Sequence, residues 1–272
     1  MKLGIIQGRL SPKTNNVIQS FPINNWRDEF RIANELGLIR IEWLFDSYFN
    51  FNNPIFNSKE RKEIIELKSR YNIAVDSLCA DYFRDNPLKN FKTIKSNGLF
   101  NKFKKLVEAC ESSEIKVIMI PYVDYSRINT DIEVNDVIAS LIHLTEISGQ
   151  FQINISLETN LKPDKYKSLL LKVNSPYLKI NYDSGDSAAL GNSMIEEFEK
   201  LSNYFVQIHI KDRIRDGRTV PLGEGDVDFK KLFALIKSYR LNIPLNLQTA
   251  RELEPINNAK KNIEFINKFT NE

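Results

Sequence analysis

The chain has 272 residues, 42% of them hydrophobic, and a formal net charge of +3. That is enough apolar material for one large α/β domain, and too little clustered positive charge for a nucleic-acid-binding protein. No segment approaches the roughly 20 apolar residues of a membrane span, and the start, MKLGIIQGRL, lacks a signal-peptide core, so a soluble cytoplasmic protein is expected.

Short apolar runs alternate with longer amphipathic ones along the chain. The strand candidates are LGIIQG (3–8), LIRIEWLF (38–45), IAVDSLCA (73–80), KVIMIPYV (116–123), INISLET (153–159), LKINYDS (178–184), FVQIHIKD (205–212) and IPLNLQT (243–249). All are rich in Ile, Val, Leu and aromatics, as strands buried on both faces should be. Helix candidates lie between them. NNWRDEFRIANELG carries a stripe of apolar residues and ends on Gly37, and SKERKEIIELKSRY is expected to start at a Ser cap. LFNKFKKLVEACESS, DIEVNDVIASLIHLTEIS, KPDKYKSLLLKV, SMIEEFEKLS, DFKKLFALIKSY and INNAKKNIEFINKF follow the same pattern, with Asp228 as a cap. His143, in the middle of one of these, is expected to be structural, and Cys79 and Cys110 to be buried thiols.

Eight strands alternating with eight helices predict a (β/α)8 TIM barrel, a fold that typically takes about 250 residues. The rival, a doubly wound open sheet, would show a glycine-rich phosphate turn after the first strand, and QGRLSPKTNN has a single Gly. With no linker or repeat, residues 1–272 read as one domain.

A barrel of this kind places its active site at the C-terminal ends of the strands. Strands five to eight end on Glu158, Asp183, His209 and Gln248. Neighbouring strands are about 4.8 Å apart, so side chains from these ends can converge on one ion. Two carboxylates, an imidazole and an amide oxygen suit Mn²⁺, Mg²⁺, Co²⁺ or Zn²⁺. Such an ion would polarise a sugar carbonyl and its adjacent hydroxyl and stabilise an enediolate. Around this set, Lys211 and Arg215 trail His209 as anion ligands, and Arg9 and Arg251 end the first and last strands, neighbours in a closed barrel. Glu42 is placed either to bond a sugar hydroxyl or to pair with Arg40 or a neighbouring strand's base, Asp186 to supply a further carboxylate, and Glu224 either to line the site from the PLGEGDVDF turn or to serve the turn alone. Trp43, Tyr82, Phe83 and Tyr122 read either as an apolar wall over a sugar or as core.

The ordered motifs SLETN, NYDSGD, HIKD, LGEGDVDF and NLQTAR, with GIIQGRLSP and IEWLFD, resemble the xylose-isomerase-like TIM-barrel superfamily, on its sugar-phosphate isomerase/epimerase branch. The resemblance covers essentially the whole chain. It implies a metal held by Glu, Asp, His and a second Glu, matched here by Glu158, Asp183 and His209, with Gln248 in the fourth place. In epimerase members the two glutamates also act as opposed bases. Gln248 can lend an oxygen to a metal but cannot take a proton near neutral pH. Three readings therefore stay open: a weakly bound metal with Glu158 as the single base, helped by Lys211, in an isomerisation, epimerisation or inosose-type dehydration; Asp186 standing in for the missing carboxylate; or a catalytically silent sugar-binding barrel. The DNA-repair endonucleases of this fold use several zinc ions and many histidines, and this chain has two His. The partner expected is a small sugar or sugar phosphate, with a homo-oligomer compatible with the sequence and neither nucleic acid nor membrane expected.

Overall fold

A computed structural model describes residues 2–14 and 19–270; the last two residues of QGRLSPKTNN, Asn15 and Asn16, lie outside them. Eight parallel strands close into a barrel: β1 (Leu3–Ile6), β2 (Arg40–Leu44), β3 (Ser77–Cys79), β4 (Val117–Tyr122), β5 (Asn154–Thr159), β6 (Leu178–Asp183), β7 (Phe205–Ile210) and β8 (Leu245–Leu247). Each pairs with its neighbours in sequence, and Leu3↔Leu245 to Ile5↔Leu247 seals β1 to β8. The long helices follow the strands as α1 (Trp26–Glu35), α2 (Ser58–Tyr71), α3 (Leu99–Glu111), α4 (Asp131–Gly149), α5 (Pro163–Val173), α6 (Met194–Leu201), α7 (Phe229–Ser238) and α8 (Pro255–Thr270). Their apolar faces lie on the outside of the strands, which is why the strands read as continuous hydrophobic runs.

Local chemistry sets several helix boundaries. Thr130 and Glu133 form a reciprocal capping box at α4, satisfying two otherwise orphaned backbone donors. Asp228 caps α7 by accepting from the Lys231 backbone N–H. At α2 the cap is Asn57 rather than the expected Ser58, because the Asn57 side chain reaches the N–H groups of Lys59 and Glu60. Two strand expectations, those of β8 and β3, shrink. Pro244 has no N–H to give the ladder, so β8 starts after it. In β3 the Asp76 carbonyl accepts from both Lys116 and Val117, leaving only Ser77–Cys79 in regular pairing.

Elements absent from the sequence reading sit in the loops at the barrel mouth. Short helices Tyr82–Asp85 and Phe91–Ser96 follow β3, Ser184–Ala189 follows β6, and a two-residue-strand hairpin (212–213 with 219–220) follows β7. Cys79 and Cys110 are free and buried, and His143 packs edge-on against Phe100. At the floor of the barrel Gly4 makes room for Arg40: a Cβ there would lie 2.0 Å from Arg40 Cγ. Among the described residues no helix is long and apolar enough to cross a membrane.

Candidate functional site

Period-two alternation carries the site inward from the strands. Glu158, Asp183 and His209 each present one ligand atom, and these atoms lie within 4.8 Å of one another. The residues two positions earlier, Ser156, Asn181 and Gln207, point the same way and are equally buried, as Asn246 is before Gln248. They form a polar layer beneath the ligand layer. Asn181 donates to Glu158 Oε1 at 2.6 Å, and Asn246 to Gln207 Oε1 at 3.5 Å. The spacing was readable in SLE, INYD, VQIH and LNLQ; its meaning was not, because buried polar residues on strands have no period of their own to separate them from solvent-facing ones.

Glu42 takes its pairing role rather than the sugar-hydroxyl one: it is fully buried below His209. Its Oε2 is 2.6 Å from His209 Nε2, and its Oε1 accepts from Gln207 Nε2 at 2.7 Å. A carboxylate on Nε2 fixes the imidazole's orientation and turns Nδ1 toward the cluster. Nδ1 faces Glu158 Oε1 at 2.8 Å without hydrogen-bond alignment, so it is a buried nitrogen lacking a hydrogen-bond partner.

Lys211 enters the same cluster from the end of β7. Its Nζ is 2.9 Å from Asp183 Oδ2, 3.0 Å from Asp186 Oδ1 and 3.4 Å from Gln248 Oε1. Asp183 also caps the short helix after β6 through the Asp186 N–H, at 2.8 Å. Asp186 in turn holds Arg213 Nη1 at 2.7 Å, and Arg213 Nε and Nη2 bind the Gly217 carbonyl.

The electrostatics of the cluster are short of positive charge. Burial and the neighbouring Asp183 push Glu158 up to about 7. Burial and Asp186 also raise Asp183. Burial alone would lower His209 and Lys211, but the carboxylates outweigh it and hold both above their ordinary values. Opposing burial, His209 lowers Glu42, and Lys211 with Arg213 lower Asp186. Four carboxylates (Glu42, Glu158, Asp183, Asp186) face two permanent cations, Lys211 and Arg213. Arg40, the other cation near Glu42, is paired with Asp76. A metal on Nδ1 would take His209 in its neutral form, so binding it would release the proton that the carboxylates otherwise hold on the ring. The donor set and the buried Nδ1 fit a metal held by Glu158, Asp183 and His209, with the Gln248 oxygen beside them.

Above the cluster opens a cleft of about 150 Å³, lined among others by Glu158, Lys211, Gln248, Arg9 and Arg251. Arg9 is anchored by the Thr249 carbonyl at 2.8 Å and by Gln19 at 2.7 Å, and Arg251 by the Ser11 carbonyl at 2.8 Å. The β1 loop that carries Arg9 is held from below by Glu29, whose carboxylate accepts from Gly8, Leu10 and Ser11. Arg213, Arg84, Asp81 and Asp124 also line the cleft.

Two expected site residues lie elsewhere. Arg215 and Glu224 are exposed and outside the cleft wall. The hairpin after β7 turns the chain away after Arg213, so Arg213 holds the place expected of Arg215. Asp212 points down, accepting from the N–H groups of Gly223, Gly225 and Val227, and so organises the PLGEGDVDF turn. Trp43, Tyr82, Phe83 and Tyr122 are core: Trp43 Nε1 donates to Asn53, Tyr122 OH to the Leu88 carbonyl, and Tyr82 stacks on Phe45. The sequence reading missed Arg213 and Glu29. The first was findable as the next same-face residue after His209 and Lys211; the second, a lone acid on a helix, carries no such signal.

A closed parallel barrel with a buried Glu–Asp–His cluster at its C-terminal mouth defines the class: a (β/α)8 protein with a metal-type centre. The chain belongs to the xylose isomerase-like TIM barrel family, which matches residues 30–269. It is 24% identical over 225 residues to L-ribulose-5-phosphate 3-epimerase UlaE of Salmonella paratyphi A, covering 78% of each chain. The same enzyme of Shigella flexneri is 23% identical over 223 residues, again 78% of each chain. Among solved structures, a zinc-bound IolI protein superposes with a TM-score of 0.77 at 17% identity, covering 99% of both chains. A D-allulose 3-epimerase of Methylomonas sp. in complex with D-allulose does so at 0.75 and 16% identity, covering 98% of this chain and 96% of that one. The probable 3-DHS dehydratase AsbF of Bacillus anthracis gives 0.74 at 16% identity, covering 98% and 99%.

Proposed function

We propose that this protein is a divalent-metal-dependent isomerase or epimerase of a sugar or sugar phosphate, with Glu158 as the proton-transferring base. The observation that carries the reading is the Glu158–Asp183–His209 cluster at the barrel mouth. The epimerases among its relatives support the substrate class. When bound, the ion would polarise the substrate carbonyl and the neighbouring hydroxyl.

The chain's own residues do the rest. Glu158 removes the proton on the carbon beside the carbonyl and can return it to the neighbouring carbon, a shift that needs one base on one face. Asn181 fixes the Glu158 carboxylate by donating to Oε1. The Lys211 ammonium, within reach of Asp183 and Gln248, stabilises negative charge growing on the substrate oxygens. Arg9 and Arg251, at the cleft wall, suit a phosphate or carboxylate end. Inversion at a carbon would need a proton from the opposite face, and the Gln248 amide has none to exchange. The single base therefore favours isomerisation, with a dehydration of the same carbanion as its nearest variant.

One observation favours a second reading, a silent sugar-binding barrel. Lys211 already bridges Asp183, Asp186 and Gln248, placing an internal cation where a fourth carboxylate would strengthen metal binding. Both readings meet one test. Sugars and sugar phosphates are incubated in D2O with Mn²⁺ and the protein, and deuterium at carbon is measured. The enzyme reading expects incorporation that is lost in Glu158→Gln. Incorporation persisting in that variant removes Glu158 as the base; none with any substrate favours the silent barrel.

A further inference from the structure

A second cavity of about 210 Å³ adjoins the central cleft, and the two share Val123, Asp124 and Arg213 as a common wall. Ligand pockets usually measure about 300–1,000 Å³. The central cleft alone, at about 150 Å³, falls short of that range, whereas the two cavities together reach it. The side cavity lies over the loops after β4, β5, β6 and β7, away from Arg9 and Arg251.

Its chemistry differs from that of the cleft. Asp124, Asp186 and Asp216 line it against two cations, Arg127 and Arg213. The donors of Arg213 are engaged by Asp186 and the Gly217 carbonyl. Asp186 is 6% exposed, and while its Oδ1 takes Lys211 and Arg213, its Oδ2 is buried with no hydrogen-bond partner. A buried acceptor of this kind is met by a donor from water, an ion or a ligand. Asp124 adopts a left-handed backbone (φ 51) at the shared wall, a strained conformation of the kind held at functional sites. Ala189 and Leu190 give the cavity an apolar surface. With three carboxylates against two arginines the wall is net negative and disfavours an anionic tail; hydroxyl groups would donate to the carboxylates, with the C–H face of a sugar ring on the apolar side.

We infer that the side cavity is a subsite for a neutral polyhydroxyl tail, a second sugar ring attached to the reacting ketose, so that the ligand spans both cavities. The inference rests on the reading of the barrel as a ketose-processing enzyme. Isothermal titration of Mn²⁺-supplemented protein with D-fructose, its 6-phosphate and isomaltulose, a glucosyl-bearing fructose, tests it. Isomaltulose is expected to bind roughly tenfold tighter than fructose, the worth of about one hydrogen bond to a charged group. Leu190→Trp, which fills the side cavity, should abolish that advantage. Asp216→Asn, which suits the left-handed backbone there (φ 53), should lower it partway should the Trp variant fail to fold. Equal binding of fructose and isomaltulose, or an advantage that survives both variants, overturns the subsite alone. If none of the three ketoses binds, the ketose reading falls, and the subsite with it.

Discussion

Replacing Glu42 by Gln is the most exacting test of the site, because it alters no metal ligand and no surface of the cleft. The Glu42 carboxylate accepts two bonds, from His209 Nε2 at 2.6 Å and from Gln207 Nε2 at 2.7 Å. A glutamine offers one carbonyl oxygen, so one of the two buried donors loses its acceptor, at a cost of about 1–3 kcal/mol. It also removes the largest charge holding His209 above its ordinary range. Loss of a carboxylate behind a metal-binding imidazole typically lowers metal affinity about 10–100-fold, or about 1.4–2.8 kcal/mol. Titration calorimetry of Mn²⁺ or Zn²⁺ into chelator-washed wild type and Glu42→Gln reads that change directly, with circular dichroism melts to show that the variant is folded. If the wild type binds metal and the folded variant matches it within roughly twofold, Glu42 does not orient His209 for a metal and the second layer has been misread.

Two further outcomes follow from the same geometry. Gln248→Glu adds a carboxylate beside the cluster and should tighten Mn²⁺ binding roughly tenfold by calorimetry, since ligand charge count sets affinity for hard cations; unchanged affinity would place Gln248 outside the metal's reach. Burial, against the backbone donors of the β1 loop, raises Glu29 to about 7 from an ordinary 4.5. The folded protein thus binds the Glu29 proton more tightly than the unfolded chain. That contribution to stability is fully present below about pH 4.5 and is lost as pH rises toward 7, by about 3 kcal/mol at 1.36 kcal/mol per unit. Urea unfolding at pH 5 and pH 8 should show a smaller fall in stability for Glu29→Gln than for wild type; equal falls would mean that Glu29 is not the titrating group.

The architecture was legible from the sequence because its cause is local. Strands covered by helices must be apolar on both faces, helices must carry an apolar stripe, and their alternation leaves few closed arrangements. The same logic singled out Glu158, Asp183 and His209, polar residues that end buried strands in turn and that barrel closure brings together. Distances across the barrel decided the rest. Glu42 and His209 are 167 residues apart in sequence and 2.6 Å apart in space, so the partnership that orients the imidazole exists only once β2 and β7 face each other across the closed barrel. Arg213 rather than Arg215 reaches the site because a short hairpin turns the chain between them. Lys211, readable as a loop charge, becomes the internal cation of the cluster because Asp183, Asp186 and Gln248 converge on one ammonium. The sequence by itself determined which strand ends reach the barrel mouth, through period and patterning. Which of them touch was set by barrel closure and loop geometry, because charges act over a few ångströms of space whatever their separation along the chain.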